Sequence, residues 1–421
     1  MTGLEDDAAL DERAMALHAE YRGKIEVDLR AALDDQDDLS LAYSPGVAAP
    51  CRAIGADPER LRDLTIAGRA VAVVTDGSAV LGLGDIGPRA AMPVMEGKAA
   101  LFRRFAGLDA WPICIDAGSP DDIVDTVRAI APGFAGINLE DIAAPGCFEV
   151  EERLQDLGIP VMHDDQHGTA IVQLAALIGA CRLTDRRLSD LTVVIAGAGA
   201  AGTAIAKLMR CVGFAPDRCE PVKDVIVCDS RGVVHEGRED LSPRKRALLE
   251  FTNRSKRTGT VHDALEGADV FIGVSRGGLL NADDVRRMAQ DPILFPMANP
   301  DPEIHPAVAH DAGAAVVGTG RSDFPNQVNN VLAFPGVFRG AIDARAPRIT
   351  PHMKVAAAVA LAESVGEPTP NRVLPRPFDP GVSRAVARAV AAAAEEESAA
   401  EEDAPGGEAA AAAGQAPAGP S

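Results

Sequence analysis

LTVVIAGAGAAG, Leu191–Gly202, decides the fold. An apolar run, Leu191–Ala196, meets Gly197 directly, and AGTAIAKLMRCVG continues from Ala201 with helical spacing. Such a run reads as a strand, a glycine turn and a helix. Gly197 permits the tight turn, Gly199 lets a pyrophosphate approach the backbone, and Gly202 lets helix and strand pack closely. The N–H groups of Ala200, Ala201 and Gly202 then open a helix whose positive end faces the phosphates. The next apolar run, DVIVCD, ends at Asp229, placed to accept from the hydroxyls of an adenosine ribose. These features predict a Rossmann-type, doubly wound parallel sheet that binds a dinucleotide.

GLGDIG, Gly82–Gly87, has the same glycine spacing but a different setting. DGSAVL separates it from its strand VAVVT, Asp85 sits inside the loop, and Pro88 follows at once. An acid there repels a pyrophosphate, so one nucleotide is expected. The first Gly-rich loop is read as backbone packed near another ligand.

At 421 residues, with 47% apolar residues, the chain has material for two domains plus extras. A net charge of −21 argues against a nucleic-acid partner. No apolar stretch approaches the ~18 residues of a membrane span. Seven cysteines without a C-x-x-C pair suggest a reducing, cytoplasmic setting and no disulfide framework. The acidic start, MTGLEDDAALDERA, lacks the apolar core of a secretion signal.

Short strands alternate with amphipathic helices on both sides of the fingerprint, which reads as α/β with parallel sheets. In the first half they are placed at Val71–Thr75, Trp111–Asp116, Gly136–Leu139 and Ile159–Met162. A helix is expected from about His167 to Cys181. The division is residues 1–165, an α/β substrate and metal domain; 166–390, the dinucleotide domain with C-terminal helices; and 391–421, an acidic Ala/Gly/Pro-rich tail expected to be disordered.

The first domain carries its own chemistry. In PVMEGKAALFRRF, Val94, Lys98, Leu101, Phe102 and Phe105 share one helical face, which buries Lys98. A buried ammonium either pairs with a carboxylate or loses its proton and becomes a general base. GINLEDIAAPG ends a strand at Glu140 and Asp141, and IPVMHDDQHGTA ends another at Asp164 and Asp165. Carboxylates gathered at strand ends repel one another unless a hard divalent cation, Mg2+ or Mn2+, neutralises them. Zinc at His163 and His167 is the weaker alternative, since no H-E-x-x-H or cysteine partner accompanies them. Tyr43 in LAYSPGVAAPC, Asn299 in FPMANPDPEI, and Asn329 and Asn330 in FPNQVNNVLAFPGV stand beside turns, where packing and Asx turns are the common roles.

Together these segments closely resemble the malic enzymes, the compact bacterial type in particular. The matching stretches are AYSPGVA, VVTDGSAVLGLGDIGPRAAMPVMEGKAALF, NLEDIAAPGCFEVEERL, IPVMHDDQHGTAIV, IAGAGAAG, MANPDPEI and QVNNVLAFPGVFRGA, in family order over roughly residues 40–345. The resemblance implies that Tyr43 is the general acid and Lys98 the general base. Glu140, Asp141 and Asp165 hold the metal, Asp164 pairs with Lys98, and Asn299 and Asn330 contact substrate. It implies oxidative decarboxylation of (S)-malate to pyruvate and CO2 by a homodimer or higher homo-oligomer. Larger relatives carry an arginine where Ala79 and Val80 stand, so the distal carboxylate needs another partner, for which Arg89 is a weak substitute.

Two other readings are a dehydrogenase that stops at the keto acid and a non-catalytic nucleotide sensor. The sensor reading leaves Lys98 and the four acids without work. For the cofactor, Asp229 favours NAD and Arg231 favours NADP; the sequence leans slightly to NAD.

Overall fold

A computed structural model describes residues 2–80, 82–214 and 219–402. It divides into two compact units, Met1–His163 and Asp164–Ser421, so the boundary falls two residues before the expected one. The chain turns at the end of a strand and enters a helix at Asp164, which fixes the division there.

The first unit is built on a four-stranded parallel sheet. Its strands are β1 (Ala70–Thr75), β2 (Asp109–Cys114), β3 (Gly136–Leu139) and β4 (Val161–His163), in the order β2-β1-β3-β4. β1 is central and buried along its whole length, as its AVAVVT sequence requires of a strand covered on both faces. β2 lies at the edge, where Pro112 removes no essential ladder donor. The helix Gly87–Ala106 connects β1 to β2 and packs against both. Its Met95 and Phe102 are fully buried, worth about 1.5–3 kcal/mol each.

The second unit carries the expected doubly wound sheet. β5 (Thr192–Ala196), β6 (Asp224–Asp229), β8 (Val270–Gly273), β9 (Ile293–Pro296) and β10 (Val316–Val317) are parallel. β5 is central, with β6 on one side and β8, β9 and β10 on the other, the order of dinucleotide-binding sheets. β7 (Gly232–Val233) departs from the parallel pattern and returns antiparallel beside β6. The Asp229 side chain accepts the Arg231 N–H at 2.9 Å, and Gly232 takes φ +108°, so DSRG forms a turn where a crossover was expected.

Three further expectations change. The helix expected from His167 begins at Asp164 and runs to Thr184, so Asp164 and Asp165 open a helix rather than end a strand. Carboxylates are favoured at that positive end. Cys211 and Cys219, with Cα atoms 5.9 Å apart, form a disulfide, against the expectation of none. The last helix runs Val382–Glu402, into the stretch expected to be disordered tail. The Ala-rich segment has helix propensity and buries Val386, Val390, Ala393 and Ala394. Residues 403–421, the rest of that tail, lie outside the described residues. Among the described residues no helix is long and apolar enough to cross a membrane.

Candidate active site

The helix Gly87–Ala106 buries Ala91, Met95, Lys98, Ala99 and Phe102. This stripe is rotated from the expected one: Val94 is 38% exposed, and Leu101 and Phe105 are half-buried. Lys98 nevertheless lies inside, 7% exposed. Its Nζ is 2.8 Å from Glu140 Oε1, so the buried ammonium has a carboxylate partner that the sequence had marked for metal alone.

Glu140 is held where β3 ends. Its N–H donates to the Val74 carbonyl at 2.9 Å, and Asn138 Nδ2 donates to its Oε2 at 2.9 Å. Asp141 then turns into the left-handed region at φ 53°, and its carbonyl accepts the Ala79 N–H at 2.9 Å. The loop after β1 is tied in by Ser78, whose Oγ accepts from Ala143 N at 2.8 Å and donates to Asp76 at 2.6 Å. Two strand-end loops are thereby locked around buried acids.

Glu140, Asp141 and Asp165 each present a carboxylate oxygen within 4.8 Å of the other two. Asp165 stands two residues beyond β4, at the same C-terminal end of the sheet. Lys98 offsets one negative charge. A hard cation would relieve the remaining repulsion, and an all-oxygen donor set matches Mg2+ or Mn2+. Among the described residues no histidine or cysteine joins this group. His163 is buried at the end of β4 and its N–H donates to Glu151.

Asn330 lies beside Gly168, one turn along the helix from Asp164. A Cβ on Gly168 would press on Asp164 Oδ1 and lie 3.1 Å from Asn330 Cβ, so the missing side chain permits both approaches. Asn329 has the bland role: its side chain caps the turn by accepting Val331 N–H at 2.9 Å. Asn299 follows β9 and donates to the Met297 carbonyl at 3.3 Å, on the wall of an open cavity shared with Gly277, Asp301 and His305. Tyr43 is 69% exposed, at the end of the short helix Gln36–Ala42. It does not share the burial of Lys98.

The first glycine loop consumes its own amides. Val80 and Gly84 exchange backbone hydrogen bonds, and Ile86 and Gly87 both donate to the Gly77 carbonyl at 3.1 Å. Few N–H groups remain there for a phosphate. The second loop is open where it must be. Gly197 takes φ +124° with its N–H on Cys228, and a Cβ on Gly202 would meet the Gly197 carbonyl. Gly199 has nothing within 4 Å of its missing Cβ. It stands at the N-cap of the helix Ala200–Met209, which no side chain caps, leaving the amides of Ala200, Ala201 and Gly202 for an anion.

Asp229 ends β6 as expected but is fully engaged. It accepts from Arg238, Lys245 and the Arg231 backbone. Burial raises its carboxyl pKa, but the bonds from Arg238, Lys245 and the Arg231 amide outweigh that and bring it from 3.8 to about 2.

Sequence reasoning passed over Glu303. It is fully buried, fills the space above Gly273, and accepts from Ser275 N–H at 2.9 Å, Ser275 Oγ at 3.2 Å and Ala298 N–H at 3.0 Å. Burial raises its pKa and the backbone donors oppose the shift. It is a positioning residue that pins the loop after β8 to the turn bearing Asn299. The one available signal was an acid in DPEI directly before an apolar residue.

Residues 22–155 match the family model described as malic enzyme, N-terminal domain, and residues 166–395 match malic enzyme, NAD binding domain. The bifunctional malic/malolactic enzyme of Bacillus subtilis is 53% identical over 91% of this chain and 92% of its own. The NAD-dependent malic enzyme of Geobacillus stearothermophilus is 49% identical over 90% of this chain and 78% of its own. The crystal structure of the NAD-dependent malic enzyme of Thermotoga maritima superposes with a TM-score of 0.85 at 45% identity, over 90% of this chain and 98% of that one.

Proposed function

This chain belongs to the malic enzyme family, and on that premise we propose how its residues oxidise malate and decarboxylate it to pyruvate and CO2 while NAD(P)+ is reduced. The reading is carried by the buried Lys98–Glu140 pair at the edge of the Glu140, Asp141 and Asp165 cluster.

Lys98 takes the proton of the C2 hydroxyl as the C2 hydride passes to the nicotinamide. The role of base requires the neutral amine, and burial disfavours the charged form of a lysine. A divalent ion held by Glu140, Asp141 and Asp165 supplies Lewis-acid polarisation of the C2 oxygen when bound. Asp164 orients Lys98, and Asn299 and Asn330 contact the substrate. Arg89 is the candidate for the distal carboxylate, since it lines a cavity at the start of the helix Gly87–Ala106. After CO2 leaves, Tyr43 returns a proton to C3 of the enol.

At 69% exposure Tyr43 needs a covering surface. Val27 (76%), Leu29 (68%) and Leu41 (76%) are exposed on the same N-terminal segment, which supports a homo-oligomer in which a second copy covers them. Five free thiols, at Cys51, Cys114, Cys147, Cys181 and Cys228, favour a reducing, cytoplasmic location, and the single Cys211–Cys219 disulfide weighs against it.

The test is a malate assay that follows NAD(P)H, pyruvate and CO2 together, with Mn2+ and with a chelator. Equal yields of the three products, abolished by the chelator, are expected. Accumulation of oxaloacetate without CO2 would make the chain a non-decarboxylating dehydrogenase.

A further inference from the structure

A free carboxylate at the end of β6 would accept hydrogen bonds from the ribose of NAD. The Asp229 carboxylate has no capacity left for that role. A carboxylate offers about four acceptor positions, and each oxygen of Asp229 already has two donors. Oδ1 takes the Arg231 N–H at 2.9 Å and Arg238 at 2.7 Å. Oδ2 takes the second nitrogen of Arg238 at 3.0 Å and Lys245 Nζ at 2.5 Å. The second acid here, Asp240, is likewise engaged by Arg238 at 2.9 and 2.6 Å and by Arg231 at 2.9 Å.

Exposure separates the charges. The Asp229 side chain is 6% exposed, whereas Lys245 is 33% and Arg231 is 70% exposed. Asp229 lies beneath with Arg238, which is 10% exposed, while Arg231 and Lys245 face outward beside Asp240, which is 32% exposed. Arg231, Arg238 and Lys245 against Asp229 and Asp240 leave one net positive charge, in a chain whose total is −21.

Taking as given that this unit binds a nicotinamide dinucleotide, we propose that the acceptor is NADP, its 2′-phosphate received by Arg231 and Lys245, with Asp229 as the buried anchor that holds this basic rim in place. A phosphate brings about 1.5–2 negative charges and three strong acceptor oxygens. Arg231 meets it with guanidinium N–H groups beyond the one placed on Asp240. A ribose hydroxyl of NAD, by contrast, would have to displace a cation from Asp229 and replace a charge-assisted bond with a weaker one.

The decisive experiment measures kcat/KM with NADP+ and NAD+ in the full-length enzyme and in Arg231→Ala and Lys245→Ala. It is paired with fluorescence titration of NADPH and NADH, which needs no turnover. The wild type should favour the phosphorylated cofactor at least tenfold in both measurements, and each variant should lower that ratio by about tenfold, the effect of one charge-assisted contact. Equal or tighter binding of NADH by the wild type, or variants that leave the ratio intact, would overturn the assignment. Failure of malate turnover with clear NADPH preference would instead count against the reaction proposed above and leave this site standing.

Discussion

Lys98 Nζ and Glu140 Oε1 stand 2.8 Å apart with both side chains almost wholly buried. Breaking such a pair leaves an uncompensated charge inside the protein, while keeping it intact holds the lysine as a cation. The same glutamate also stands within 4.8 Å of two further carboxylates. Glu140 therefore joins the lysine to the acidic cluster.

Lys98→Met keeps the apolar stem and removes the amine. It is expected to lower kcat by about 10²–10⁴, with the far-UV circular dichroism spectrum retained. Turnover near the wild-type rate would remove Lys98 from the role of base.

Mn2+ should raise the melting temperature, because an ion that binds only the folded chain stabilises it by about 2.7 kcal/mol at a concentration of 100 Kd. Asp165→Asn should shift the Mn2+ dependence of both melting and activity by at least the roughly tenfold that losing a supporting partner costs a metal site. A melting curve indifferent to Mn2+ in the wild type would dissolve the proposed metal centre.

Gly202→Ala places a methyl against the Gly197 carbonyl. The helix Ala200–Met209 must then move from the strand end, and overpacking of this kind costs about 1–3 kcal/mol. The expected readouts are a lowered melting temperature and a KM for the nucleotide raised more than the KM for malate. A change in the malate KM alone would contradict the assignment of this loop to the cofactor.

Asp229→Asn removes a charge whose folded pKa is depressed from 3.8 to about 2. A depressed carboxyl stabilises the fold above its unfolded pKa and loses that contribution as pH falls through the folded value. The gap in urea midpoint between wild type and variant should be constant above about pH 5 and shrink as pH falls from 4 toward 2. A gap that widens on acidification would show that the Arg238 and Lys245 contacts do not hold the carboxylate ionised.

The strand-turn-helix of the fingerprint was legible because its signals are local. Five apolar residues, a glycine at positive φ and a helix start lie within a dozen positions, and nothing distant is needed to read them. Lys98 was found inside for a similar reason, although Val94 was misplaced: helical period gives a face to within a residue or two, and packing against β1 and β2 sets its final rotation. The end of the last helix was misjudged because composition marks a tail before helix propensity and burial at Val390 and Ala394 run out.

The sequence by itself determined the two α/β units, the single dinucleotide loop and the residue types of the acidic site, since periodicity and turn chemistry act over neighbours in the chain. Only the tertiary structure decided which charges meet. Glu140 reaches Lys98 across forty-two positions, Arg238 and Lys245 close on Asp229, and Glu303 finds the amides of Ser275 and Ala298. Ion pairing depends on distances of a few ångströms between side chains brought together by sheet order and loop path, and no local pattern carries that information.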